Sequence, residues 1–79
     1  MPRQVCLRAL PVNKKALVCA VNARGELGRR IRDLGIIPGT EVVVVGRAPL
    51  RDPVALRLRD FTLTMRNDEA DHIMVDMEE

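Results

Sequence analysis

Two periods of apolar spacing run along this chain. Leu27, Ile31 and Leu34 recur at i, i+4 and i+7, which lines one face of a short helix and turns Arg29, Arg30 and Arg32 outward. Gly35 directly follows the last periodic residue, where a glycine supplies the left-handed conformation of a helix C′ position. Ile36 behind it is placed for the hydrophobic contact of a Schellman ending. In Ile37-Pro38-Gly39-Thr40, proline and glycine hold the two central positions of a type II turn. The spacing therefore predicts a helix, a stop and a chain reversal in that order.

Elsewhere the period is two. Val54, Leu56 and Leu58 alternate with Ala55, Arg57 and Arg59, and Phe61, Leu63 and Met65 alternate with Thr62 and Thr64. With Arg59-Asp60 as a two-residue loop, Leu58 and Phe61 stand directly opposed and share a face, so turn geometry and alternation give one register. That reading uses Phe61 fully in the hairpin core. An extended piece over residues 5–7 and a turn at Pro11-Val12-Asn13-Lys14 lead to a strand over residues 16–21. Four consecutive valines, 42 to 45, suit a strand covered on both sides. Asn67 reads as an N-cap, with Asp68 and Glu69 in the first turn where the helix dipole favours acids, and residues 73–75 resume a strand. Five or six short strands with one short helix inserted after the second predict an all-β fold, a small and strongly curved barrel. The chain is read as a single domain over residues 1–79, with no repeat, linker or low-complexity stretch.

Composition narrows the function. A chain of 79 residues buries only about 60% of its unfolded surface, so a deep enzyme pocket is not expected. The 47% hydrophobic content is almost entirely aliphatic, with Phe61 as the sole aromatic, so the core must be built from Val, Leu and Ile. No apolar run approaches the roughly 18 residues of a membrane span, and the N-terminus lacks the apolar block of a signal peptide. The expected location is the cytoplasm, without direct membrane insertion. Cys6 and Cys19 are too far apart for a CxxC pair and too few for a disulfide framework, and are read as reduced core residues. The net charge of +2 conceals a polar distribution. Residues 1–32 carry eight Lys or Arg against one acid, and residues 67–79 carry six acids and no base. Such charges are either ordinary solvated surface, or the two ends pair within or between copies, or the basic face meets an acidic partner.

Catalysis finds no support. The chain has no serine and a single histidine, His72, which leaves Cys6 or Cys19 with His72 as the sole conceivable nucleophile and base. Gly25-Glu26-Leu27-Gly28 lacks the Lys and Ser or Thr of a P-loop and the spacing of a dinucleotide fingerprint. His72 with Asp68, Asp71 or Asp76 makes a loose surface set, short of the three or four convergent ligands of a closed metal site. No catalytic, cofactor-binding or metal-binding residue is assigned, and the chain is read as not an enzyme. Arg24, Arg29, Arg30 and Arg32 have the charge to meet phosphates, yet one aromatic residue cannot supply a base-stacking platform.

The run Arg29-Arg30-Ile31-Arg32-Asp33-Leu34-Gly35-Ile36-Ile37-Pro38-Gly39-Thr40, the valines after it, then Ala48-Pro49-Leu50 and Asp52-Pro53, resembles the FeoA family. These are small cytoplasmic accessory proteins of bacterial ferrous iron uptake. The resemblance covers residues 7–75, because Arg66-Asn67-Asp68-Glu69-Ala70 and Ile73-Met74-Val75 look like the family's closing segment. It departs at Asn13, Arg51 and Asp60, where the family usually carries glycine; Asn and Asp tolerate positive φ better than most residues. The string from Arg30 to Gly39 also looks like the second half of an AbrB-type swapped-hairpin transcription factor, a DNA-binding regulator. Those proteins have no counterpart to residues 48–53 or 67–75.

The FeoA resemblance implies an SH3-like barrel with no cofactor and no resident iron. It implies a non-enzymatic role by protein–protein contact, docking on the cytoplasmic side of the FeoB-type permease with its GTPase domain, and no nucleic acid partner. A second copy of the chain is the other candidate partner. Leu50, set between two prolines with no periodic reason for burial, is the first candidate anchor, with Ile36 and Ile37 as further lining. Core packing is the competing reading for all three. The basic face around Arg29, Arg30 and Arg32 is the second candidate surface.

Overall fold

The computed structural model describes residues 3–50, 52–59 and 61–77. Six strands form one sheet: β1 (Arg3–Cys6), β2 (Lys15–Val21), β3 (Glu41–Arg47), β4 (Val54–Leu58), β5 (Phe61–Met65) and β6 (Ile73–Met77). Their spatial order is β1-β6-β2-β3-β4-β5, and every neighbouring pair is antiparallel. A 3₁₀ turn at Leu7–Ala9 follows β1, α1 (Gly25–Asp33) joins β2 to β3, and the single turn of α2 (Asn67–Ala70) joins β5 to β6.

Helix α1 forms and stops as its spacing predicts. Ile31 is fully buried, with Leu27 and Leu34 packed partly against the core beside it. Gly35 takes φ +94°, and its N–H donates to Arg32 O at 2.9 Å while that of Ile36 donates to Ile31 O at 3.3 Å. These are the two hydrogen bonds of a Schellman ending. Gly39 also has φ +94°, and Thr40 N donates to Ile37 O at 3.1 Å, which closes the turn. Two further bonds fasten that turn to β2, from Gly39 N to Val18 O at 2.7 Å and from Val18 N to Thr40 O at 2.8 Å. Within α1, a Cβ added to Gly28 would collide with the backbone oxygen of Ala23. The helix therefore reaches the segment after β2 only because this residue has no side chain.

One face of the sheet carries Ala16, Val18, Val42, Val44, Val54, Leu56, Leu58, Met65, Ile73 and Val75 into an aliphatic cluster, closed by Leu7, Leu10, Ile31 and Ile36. The sheet bends where register shifts, between Val18 and Ala20 in β2 and between Val44 and Gly46 in β3. Asn13, standing where a glycine was expected, takes φ +70°.

Several expectations need correction. The valine run is not covered on both sides: Val42 and Val44 are buried, but Val45, at the bulge, is 41% exposed. The N-cap of α2 is Arg66, and Asn67 is the first helical residue. The Glu69 carboxylate accepts from Arg66 N at 3.2 Å, and Asp52 Oδ1 accepts from Asn67 N at 3.0 Å, so acids cap this turn from within and from the neighbouring loop. Leu58 does pair with Phe61, and Arg59 in the connection has φ +49°, while Asp60 and Arg51 lie outside the described residues. Phe61, however, is 50% exposed, because the sheet ends at β5 and nothing covers its far side among the described strands. Cys6 and Cys19 are free but only half-buried.

Opposite ends of the chain do pair. Arg8 Nη1 lies 3.0 Å from Asp71 Oδ2, and Arg30 Nη1 lies 3.5 Å from Glu69 Oε2. The basic first half thus closes onto the acidic last segment. Arg8 and Asp71 are both well exposed, so that pair contributes about 0–1 kcal/mol.

Candidate interaction surface

The connection over residues 48–53 has no periodic signal, yet its ends are fixed. Ala48 N donates to Pro53 O at 3.1 Å, and the Asp52 carboxylate is held by the backbone of α2. The tip projects. Leu50 is 90% exposed, the most of any large hydrophobic residue described. It lines a groove of about 600 Å³ with Arg8, Ala9, Leu10, Pro11, Val12 and Arg47. Val12, which also lines it, is 43% exposed, so the groove presents two exposed aliphatic side chains beside two arginines.

Arg47 sets the shape of this groove. Its Nη2 donates to Arg8 O at 2.8 Å and to Leu10 O at 2.9 Å, which ties β3 to the turn after β1. Sequence reading missed Arg47, Arg8 and Val12 as neighbours of Leu50. No local pattern joins positions 37 and 39 residues apart.

The other candidate residues lie elsewhere. Ile36 is completely buried and cannot line any groove, because the Schellman ending turns its side chain into the core beneath α1. Ile37, one residue on, is 48% exposed at the first position of its turn, and it does not line the Leu50 groove. Arg29, Arg30 and Arg32 are exposed on α1. Arg30 joins Leu27, Asp52, Pro53, Asp68, Glu69 and His72 around a second groove of about 710 Å³, between α1 and the β5–α2 end. Leu50, the candidate anchor, and Arg30 of the arginine face therefore line separate grooves.

Asp71, which sequence placed near His72 as a metal-ligand candidate, is engaged instead by Arg8 and by the Cys6 thiol, whose Sγ lies 3.8 Å from Asp71 Oδ1 and 3.4 Å from Ala70 O. Among the described residues no three His, Cys, Asp or Glu side chains gather as metal ligands. Burial pushes the Cys19 thiol above its ordinary pKa, with Asp76 adding to the shift against an opposing backbone hydrogen bond. It is thus held in the protonated, weakly nucleophilic form near neutrality. Among the described residues no helix is long and apolar enough to cross a membrane.

The family model for the FeoA domain matches residues 5–77. The chain belongs to the FeoA family. An Fe(2+) transport protein A/Fe(2+) transporter FeoB fusion protein of Porphyromonas gingivalis is 35% identical over 71 residues, 90% of this chain. The chain spans only 8% of the length of that curated relative. The solution structure of a FeoA-like protein from Clostridium acetobutylicum superposes with a TM-score of 0.90 at 35% identity, covering 100% of this chain and 92% of that one. A zinc complex of FeoA from Stenotrophomonas maltophilia, a procaryotic SH3 domain protein, superposes with a TM-score of 0.78 at 30% identity and covers 96% and 89% of the two chains. The six-stranded sheet with its inserted helix is accordingly the SH3-like fold of this family.

Proposed function

We propose that this chain is a non-enzymatic accessory module of ferrous iron uptake that acts on the cytoplasmic side of a FeoB-type permease. One observation carries this reading: a homologous segment occurs in the same polypeptide as the Fe(2+) transporter FeoB in Porphyromonas gingivalis. Covalent fusion raises the effective concentration of a weakly bound partner, so a separate chain of the same family is expected to meet the same surface by diffusion. A small SH3-like fold with exposed aliphatic residues, and with no gathered catalytic groups among those described, suits docking.

Leu50 is the proposed anchor. A leucine held on a loop with fixed ends loses little conformational freedom on binding, and its exposed apolar surface makes association favourable. The groove's arginines suit an acidic flank on the partner. Co-purification of the tagged chain with the detergent-solubilised permease tests the reading. Retention of the permease is the expected result, and its loss under gentle salt would overturn the assignment of this partner.

A further inference from the structure

The sheet ends on two unequal edges. At β1 the exposed edge carries Arg3 and Gln4, polar groups of the kind that discourage strand pairing. At β5 the sequence Phe61-Thr62-Leu63-Thr64-Met65 has no charge, no proline and no glycine, and its one aromatic residue is half exposed. An edge of that composition is a template for another strand.

The direction of its free hydrogen-bonding groups follows from bonds further in. Val44 O accepts from Asn13 and Thr40 O accepts from Val18, so the even-numbered carbonyls of β3 face β2. Val43 therefore bonds to β4 opposite Arg57, and Leu56 and Leu58 turn their backbone groups to Leu63 and Phe61 of β5. The alternation leaves the N–H and C=O of Thr62 and Thr64 pointing away from the sheet.

We infer that β5 pairs antiparallel with β5 of a second copy, about a two-fold axis through Leu63. In that register Thr62 faces Thr64 of the other copy, Leu63 faces Leu63, and Phe61 faces Met65. Both threonine pairs are then hydrogen-bonded pairs, which satisfies all the outward groups of Thr62 and Thr64 in both copies. The strand is self-complementary in side chains as well. Threonine meets threonine on the outer face, while on the inner face Phe61 closes over Leu63 and Met65 of its partner. This contact uses neither Leu50 nor the permease, and it stands apart from the function proposed above.

Sedimentation velocity over micromolar to millimolar concentrations tests the pairing on the full chain. Wild type is expected to show a concentration-dependent monomer–dimer equilibrium. Thr62→Lys with Thr64→Lys places like charges opposite one another twice and should weaken the dimer about tenfold or more. Thr62→Lys with Thr64→Glu places opposite charges at the same two pairs and should restore it. Thr62 and Thr64 are both exposed, so both variants should fold, which a melting curve checks. A wild type that stays monomeric at millimolar concentration would overturn the pairing. So would a dimer indifferent to the two lysines, or one that the Lys/Glu combination fails to restore.

Discussion

Two proline-bearing connections in this molecule treat their aliphatic residues in opposite ways. In the turn after α1, Ile36 is fully buried; in the connection between β3 and β4, Leu50 is 90% exposed. Hydropathy does not separate them. The difference lies in the backbone around each: Gly35, Ile36, Gly39 and Thr40 all donate hydrogen bonds into the end of α1, the turn itself or β2, which leaves the Ile36 side chain one direction, inward. Among the described residues of the 48–53 connection the hydrogen bonds lie at its ends, at Ala48, Asp52 and Pro53, and Leu50 is left facing solvent. Burial of an apolar residue here follows from what holds its neighbours.

The comparison breaks most sharply at Ile36. Ile36→Ala removes a fully buried side chain and should destabilise the fold by about 2–5 kcal/mol, read from denaturant unfolding. A loss under ~1 kcal/mol would place Ile36 among the tolerant surface positions with Leu50. Next in size is Gly28→Ala. The added methyl meets a backbone oxygen rather than a flexible side chain, so α1 must shift, at about 1–3 kcal/mol. Heteronuclear spectra should show amide shifts spreading from α1 to Ala23. Gly39→Val follows, at roughly 1 kcal/mol or more, since a β-branched residue resists φ +94° even where space is open; an unchanged melting midpoint would remove the turn from the account. Leu50→Asp comes last, with a change within about 0.5 kcal/mol, because the side chain leaves solvent for solvent.

The sequence carried the backbone path of the first connection, though not the burial of Ile36, and only part of the second. Gly35, Pro38 and Gly39 are local signals, each demanding a particular φ at its own position, so helix end and turn were readable without any tertiary knowledge. The β4–β5 register was readable for the same reason, from a two-residue loop and alternation. Two of the failures depended on distant strands. Phe61 is exposed because β5 is the last strand of the sheet, and Val45 because β3 bulges beside it. Neither fact is written near the residue it affects. At the candidate surface, Leu50 stands out by lacking a reason for burial, whereas Arg8 and Val12 come to its groove from the segment after β1, which the Arg47 side chain holds there. Ile36 and Ile37 look alike in sequence as lining, and one peptide step divides them into core and surface.

The most direct test of the account is a binding titration of the permease's cytoplasmic GTPase domain with wild type and Leu50→Asp, run beside their melting curves. An interface anchor contributes to association and not to the fold. Binding is expected to weaken by about 1–3 kcal/mol with an unchanged melting midpoint. Equal affinity for the two proteins, or a midpoint that falls along with the affinity, would contradict it.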